Sequence, residues 1–90
     1  MSGVLYRFCL YVAGDSPNSR LARANLAAIA AAKLSGRFAI EEVDVLKEPL
    51  RALSDKVLLT PTLVVLRPGP QRRLLGSLSE RQKVLSFLGV

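Results

Sequence analysis

The chain has 90 residues, half of them hydrophobic, with 13 Lys and Arg against 7 Asp and Glu and a formal charge of +6. This length gives one domain, read as residues 1–90, near the small end of independently stable folds, and the composition excludes a disordered chain. One cysteine and no histidine exclude an intrachain disulfide and zinc held by the usual Cys/His sets, and remove the commonest general base and pH switch.

Val4 to Val12 (VLYRFCLYV) is rich in β-branched and aromatic residues and reads as a strand buried on both faces of a parallel sheet. Asp15-Ser16-Pro17-Asn18-Ser19 is a turn cluster with N-capping side chains. It opens an alanine-rich helix over 17–35, with Leu26 and Ile29 on its inner face and Gly36 as the stop. Phe38 to Val45 reads as a second strand whose alternation slips between Ile40 and Val43, through a bulge or partial burial. Strand, helix and strand make a βαβ unit with a parallel pair.

Glu48-Pro49 opens a second helix, where an early proline is tolerated, and Leu50, Leu53, Val57 and Leu58 recur at helical spacing as its apolar face. Thr60-Pro61-Thr62 breaks it. Leu63 to Leu66 and Arg72 to Leu75 read as a hairpin across Arg67-Pro68-Gly69-Pro70-Gln71. Ser77-Leu78-Ser79-Glu80 fits a capping box for a last helix with Leu78, Val84, Leu85 and Leu88 inward. The predicted order, β-α-β-α-β-β-α, is that of the α/β thioredoxin fold.

No stretch approaches the ~20 apolar residues needed to span a bilayer. Met1 to Arg7 lacks the basic start and long apolar run of a signal peptide. A cytoplasmic protein without a membrane partner is expected. The basic residues are scattered, with only Arg72 and Arg73 adjacent, which suits both a solubilising surface and an acidic partner. Nucleic acid is not expected, because Tyr6, Phe8 and Tyr11 fall in a buried strand and leave no stacking platform. Asp44 and Asp55 form no evident catalytic pair, and no glycine-rich phosphate loop is present. No enzyme activity and no cofactor are expected, and Cys9 reads as a buried structural thiol.

Three segments carry a resemblance: Leu10–Ser19 (LYVAGDSPNS), Asp44–Pro49 (DVLKEP) and Thr60–Leu85 (TPTLVVLRPGPQRRLLGSLSERQKVL). In order and spacing they resemble the KaiB family, whose members bind the ring ATPase KaiC in cyanobacterial clocks. The sensor domain of the clock kinase SasA is a relative, but Arg72-Arg73-Leu74-Leu75-Gly76 is more similar to KaiB. The resemblance implies regulation of KaiC phosphorylation by protein contact, in competition with a SasA-like kinase, through Lys47, Leu50, Leu53 and Lys56 and the pair Arg72-Arg73. It also implies two folds, a tetrameric ground state and a monomeric thioredoxin-like form. Pro61, Pro68, Pro70, Phe87 and Gly89 lie where the fold changes.

The chain departs from the family pattern at Gly76-Ser77-Leu78-Ser79-Glu80, where the family carries further acid, and in lacking an acidic tail after Val90. Phe87 stands where the family has glycine. Interior glycine costs a helix about 0.5–1 kcal/mol, so Phe87 favours the helical, thioredoxin-like monomer as the resting state. Two alternatives stand beside this reading. One is a thioredoxin-like redox or glutathione-binding domain, weakened because serines replace the C-x-x-C dithiol at 15–19. The other is a detached SasA-type sensor domain.

Overall fold

A computed structural model describes residues 5–90. The elements run β1 (Tyr6–Val12), α1 (Pro17–Lys33), β2 (Phe38–Asp44), α2 (Pro49–Ser54), β3 (Thr62–Arg67), β4 (Arg72–Leu75) and α3 (Arg81–Leu88). The predicted strand start at Val4 lies outside the described residues, as does most of the segment read against a signal peptide. The sheet order is β2-β1-β3-β4. β1 runs parallel to β2 and antiparallel to β3, and β3 and β4 form the predicted hairpin.

The two central strands are the apolar ones, and both of their faces are covered. Phe8, Leu10, Val12, Leu63 and Val65 face α1 and α3, where they pack with Ala22, Leu26, Ile29, Val84, Leu85 and Leu88. The alternate residues Cys9, Tyr11 and Val64 face α2 and make a smaller core with Val43 and Ala52. Continuous apolar sequence in β1 is therefore the signature of a strand between two layers.

Ser16 caps α1. Its hydroxyl accepts from the Ser19 N–H at 3.4 Å and donates to the Ser19 hydroxyl at 2.8 Å, while Ser19 Oγ accepts from the Ala13 N–H at 3.0 Å. The helix ends at Lys33, two residues short of the predicted Ser35, because Ser35 and Gly36 both take positive φ.

One open alternative is decided and two local expectations are corrected. The β1–β2 register is unbroken, so the slip in β2 is partial burial; an irregularity lies instead between Arg7 and Phe8 in β1 against β3. The capping box does not form: α3 starts at Arg81, Glu80 is its N-cap residue without a side-chain cap, and Leu78 is buried ahead of the helix at φ 63°. Asn25 instead ties that approach down, donating to the Ser77 carbonyl at 2.9 Å. The largest correction concerns α2. It stops at Ser54, and the leucines assigned to its inner face point outward, with Leu50 79%, Leu53 69% and Leu58 87% exposed. Ala52 is its buried residue, and Val57 alone of the predicted stripe packs against the core.

Candidate functional site

Each edge strand carries a doublet of like charge, and strand geometry sends one member to each face. On β2, Glu41 accepts two bonds from Arg51 of α2 at 2.6 and 2.7 Å, and Glu42 accepts two from Arg23 of α1 at 2.7 and 2.9 Å. These forked pairs hold the Glu41 carboxyl below its ordinary range and raise both guanidiniums. On β4, Arg72 and Arg73 meet backbone carbonyls instead. Arg72 donates to Phe87 at 2.6 Å, and Arg73 donates to Lys56 at 3.0 Å and to Asp55. Each arginine thus satisfies carbonyls at the C-terminal end of one helix, where cations are favoured.

The polar ties converge on α2, a helix too short to hold itself by apolar burial. Besides Arg51–Glu41 and Arg73, the Tyr11 hydroxyl donates to the Asp55 carboxylate from the buried face of β1. Burial and that carboxylate push the Tyr11 phenol up. Held this way, α2 presents Leu50 and Leu53 to solvent, with Leu46 before it and Leu58 and Leu59 after it, all more than 60% exposed. Beside it lies a groove of about 350 Å³ whose lining includes Lys56, Val57, Leu58, Leu59, Arg73 and Leu75. Exposed apolar surface concentrated in this way is uncommon on a free monomer.

The expected partner contacts divide among three places. Lys56, Leu50, Leu53 and Arg73 belong to α2 and the groove. Lys47 lines a separate charged cleft of about 520 Å³ with Asp15, Arg23, Glu42, Asp44 and Glu48. Arg72 lies on the opposite face of the sheet, half-buried over the Phe87 ring. Sequence reasoning missed Leu58-Leu59 and Leu75 as surface residues. The signal was there: an apolar doublet directly before the Thr60-Pro61 break has no helix left to bury it.

The proline segment shows two cis bonds, Thr60–Pro61 and Arg67–Pro68, with Pro61 buried and Pro68 and Pro70 exposed. Gly89 takes the left-handed conformation at φ 78° and closes α3, its N–H donating to Leu85 at 2.9 Å. At the strand-to-helix turn the serines are committed to capping. Cys9 is a free thiol, buried in the α2-side core, and burial pushes its pKa up, the reverse of an activated nucleophile. Among the described residues no cluster of metal-binding side chains occurs, and no helix is long and apolar enough to cross a membrane.

The architecture matches chloroplastic thioredoxin z at a TM-score of 0.79 and 20% identity, covering 96% of this chain and 77% of that one. It matches the N-terminal domain of Synechococcus elongatus SasA at 0.74 and 22%, covering 93% and 83%. The fold is thioredoxin-like. A family model for the KaiB domain matches residues 9–90. The chain belongs to the KaiB family. It is 48% identical over 80 residues to the circadian clock oscillator protein KaiB of Prochlorococcus marinus (strain MIT 9312), covering 89% of this chain and 76% of that protein. The KaiB of Synechococcus elongatus is likewise 48% identical over 80 residues, with 89% and 78% covered. In this KaiB-family chain the leucine surface, the groove and Arg73 lie together on the α2 side of a thioredoxin-like sheet.

Proposed function

We propose that this KaiB-family chain is a clock component that binds a KaiC-type ring ATPase and modulates its phosphorylation cycle by protein contact, catalysing no reaction itself. The observation that carries the reading is the outward set of leucines on and around α2, held in place by polar ties. A helix that spends Ala52 on its own core and Leu50 and Leu53 on solvent is built to be covered. Lys56 and Arg73 at the rim suit an acidic partner surface, as does the net charge of +6. The reading includes a cytoplasmic monomer in the thioredoxin-like form, and a SasA-like kinase competing for the same site on the ATPase.

The test is co-elution of the chain with a KaiC-type ATPase in the presence of ATP. Wild type is expected to co-elute, and Leu50→Asp with Leu53→Asp is expected to abolish the complex while the circular dichroism spectrum is unchanged. Unimpaired binding by that variant overturns the assignment of the surface. Insulin reduction or glutathione binding by the wild type overturns the non-catalytic reading.

A further inference from the structure

Resting on the docking surface just proposed, we infer that the open edge of β4 takes an extended, acidic and apolar segment of the partner as a fifth strand. The Gly76 N–H donates to the Pro61 carbonyl at 3.0 Å, so residue 76 points its backbone toward β3. Backbone groups alternate along an antiparallel strand. Leu74 and Arg72 therefore also face β3, and the N–H and C=O groups of Arg73 and Leu75 face away from the sheet at an edge that no other strand covers among the described residues.

The side chains of those two residues lie on the α2 face, across from Val64 and Thr62, and both line the leucine groove. Open backbone and exposed side chain thus belong to the same pair of residues. A strand added here gains main-chain bonds from the edge and side-chain selection from the groove, the two components of strand-addition recognition.

The chemistry of the occupant follows from the lining. Leu58, Leu59 and Leu75 call for an apolar side chain. Arg73 and Lys56 call for a carboxylate two residues along, on the same face of the incoming strand. Neither cation is within salt-bridge distance of a carboxylate among the described residues, and Asp55, the nearest in sequence, is engaged by Tyr11. A second copy of this chain fits poorly: it would bring two Arg73 side chains together along one edge and join two chains of +6 each. Strand β4 has only four residues, so the edge supplements the α2 surface in a two-point contact.

Hydrogen–deuterium exchange of the full chain, free and in complex with a KaiC-type ATPase, reads this amide by amide. The Arg73 and Leu75 amides are expected to slow at least about tenfold in the complex, while Leu74, already bonded to β3, changes little. Leu75→Pro removes an outward donor without touching the hairpin and is expected to weaken binding about tenfold, more than Leu75→Ala, which keeps the N–H. A complex that forms with unchanged exchange at 73 and 75 overturns the strand and leaves the docking surface standing. No complex at all removes both. Slowing at these amides in the free chain as it dimerises with concentration replaces the partner by a second copy.

Discussion

Arg72 on β4 lays its guanidinium 5.3 Å from the centre of the Phe87 ring and donates to the Phe87 carbonyl at 2.6 Å. One side chain thus holds both the ring and the backbone of the last helix against the edge of the sheet. Cation–π contact contributes about 0.5–2 kcal/mol, depending on exposure, and a charged hydrogen bond about 1.5–3 kcal/mol. Urea unfolding of Arg72→Ala, Phe87→Ala and the double variant is expected to give a coupling of about 1 kcal/mol. Additive effects refute the latch.

Phe87→Gly adds a backbone effect to the loss of the ring, together about 2 kcal/mol. On the proposed reading of a thioredoxin-like resting monomer, whose alternative is the tetrameric fold that the KaiB resemblance implies, this variant is expected to shift material toward a tetramer with strand structure over 82–88. Size exclusion and carbon chemical shifts read the shift. A wild-type chain already tetrameric in solution contradicts the thioredoxin-like resting state.

Leu50→Ser and Leu53→Ser are expected to change stability by less than about 0.5 kcal/mol, because neither side chain is withdrawn from water. Ala52→Asp, one position away on the buried side, is expected to destabilise by several kcal/mol or prevent folding, since it places a carboxylate in the α2-side core. Denaturation midpoints separate the two faces of the helix, and a large loss at Leu50 would show that its side chain is buried.

Asp44 accepts from the Leu46 N–H at 3.0 Å and the Gly14 N–H at 3.1 Å, and these bonds hold its carboxyl below the ordinary value. A depressed native pKa stabilises the fold above the unfolded value of about 3.9, and the contribution disappears as pH falls through the native value. Glu41, lowered by Arg51, acts in the same direction. The urea midpoint is expected to be flat from pH 7 to 5 and to fall below about 4. Asp44→Asn should lower it at neutral pH and shallow the acid decline. An unchanged decline would assign it to other groups.

Cys9 is expected to resist thiol reagents at pH 8 in the native state and to react fully in urea, since burial both raises its pKa and blocks approach. Labelling at the rate of a free thiol in native buffer would show that β1 opens locally.

The layers were legible in the sequence because β1 and the small residues of α1 leave no other way to bury Phe8, Leu10 and Leu26. The hairpin was legible from its proline and glycine turn, and the capping role of the 15–19 turn from its serines. The face of α2 was not. Leucines at helical spacing normally point to a core, and the inversion is caused by what the sheet offers on that side: Tyr11 with Asp55, Glu41 with Arg51, and room only for Ala52. The capping box failed for a related reason, since burial of Leu78 at positive φ keeps residues 77–80 out of the helix. Polar contacts between residues distant in sequence, such as Arg73 with the carbonyls of residues 55 and 56, depend on tertiary placement that no local pattern encodes.

The four residues of β4 read Arg-Arg-Leu-Leu. Because side chains alternate, either face of this strand displays one arginine and one leucine, and a slip of one residue against β3 would exchange the faces without altering what each presents. Most half-buried strands are pinned by the mismatch such a slip creates. β4 has no mismatch of its own, so its register is set from outside it: by the Gly76–Pro61 bond at one end and the aromatic ring of Phe87 beneath the other. This gives β4 two chemically equivalent faces, so the strand's identity is supplied by its neighbours.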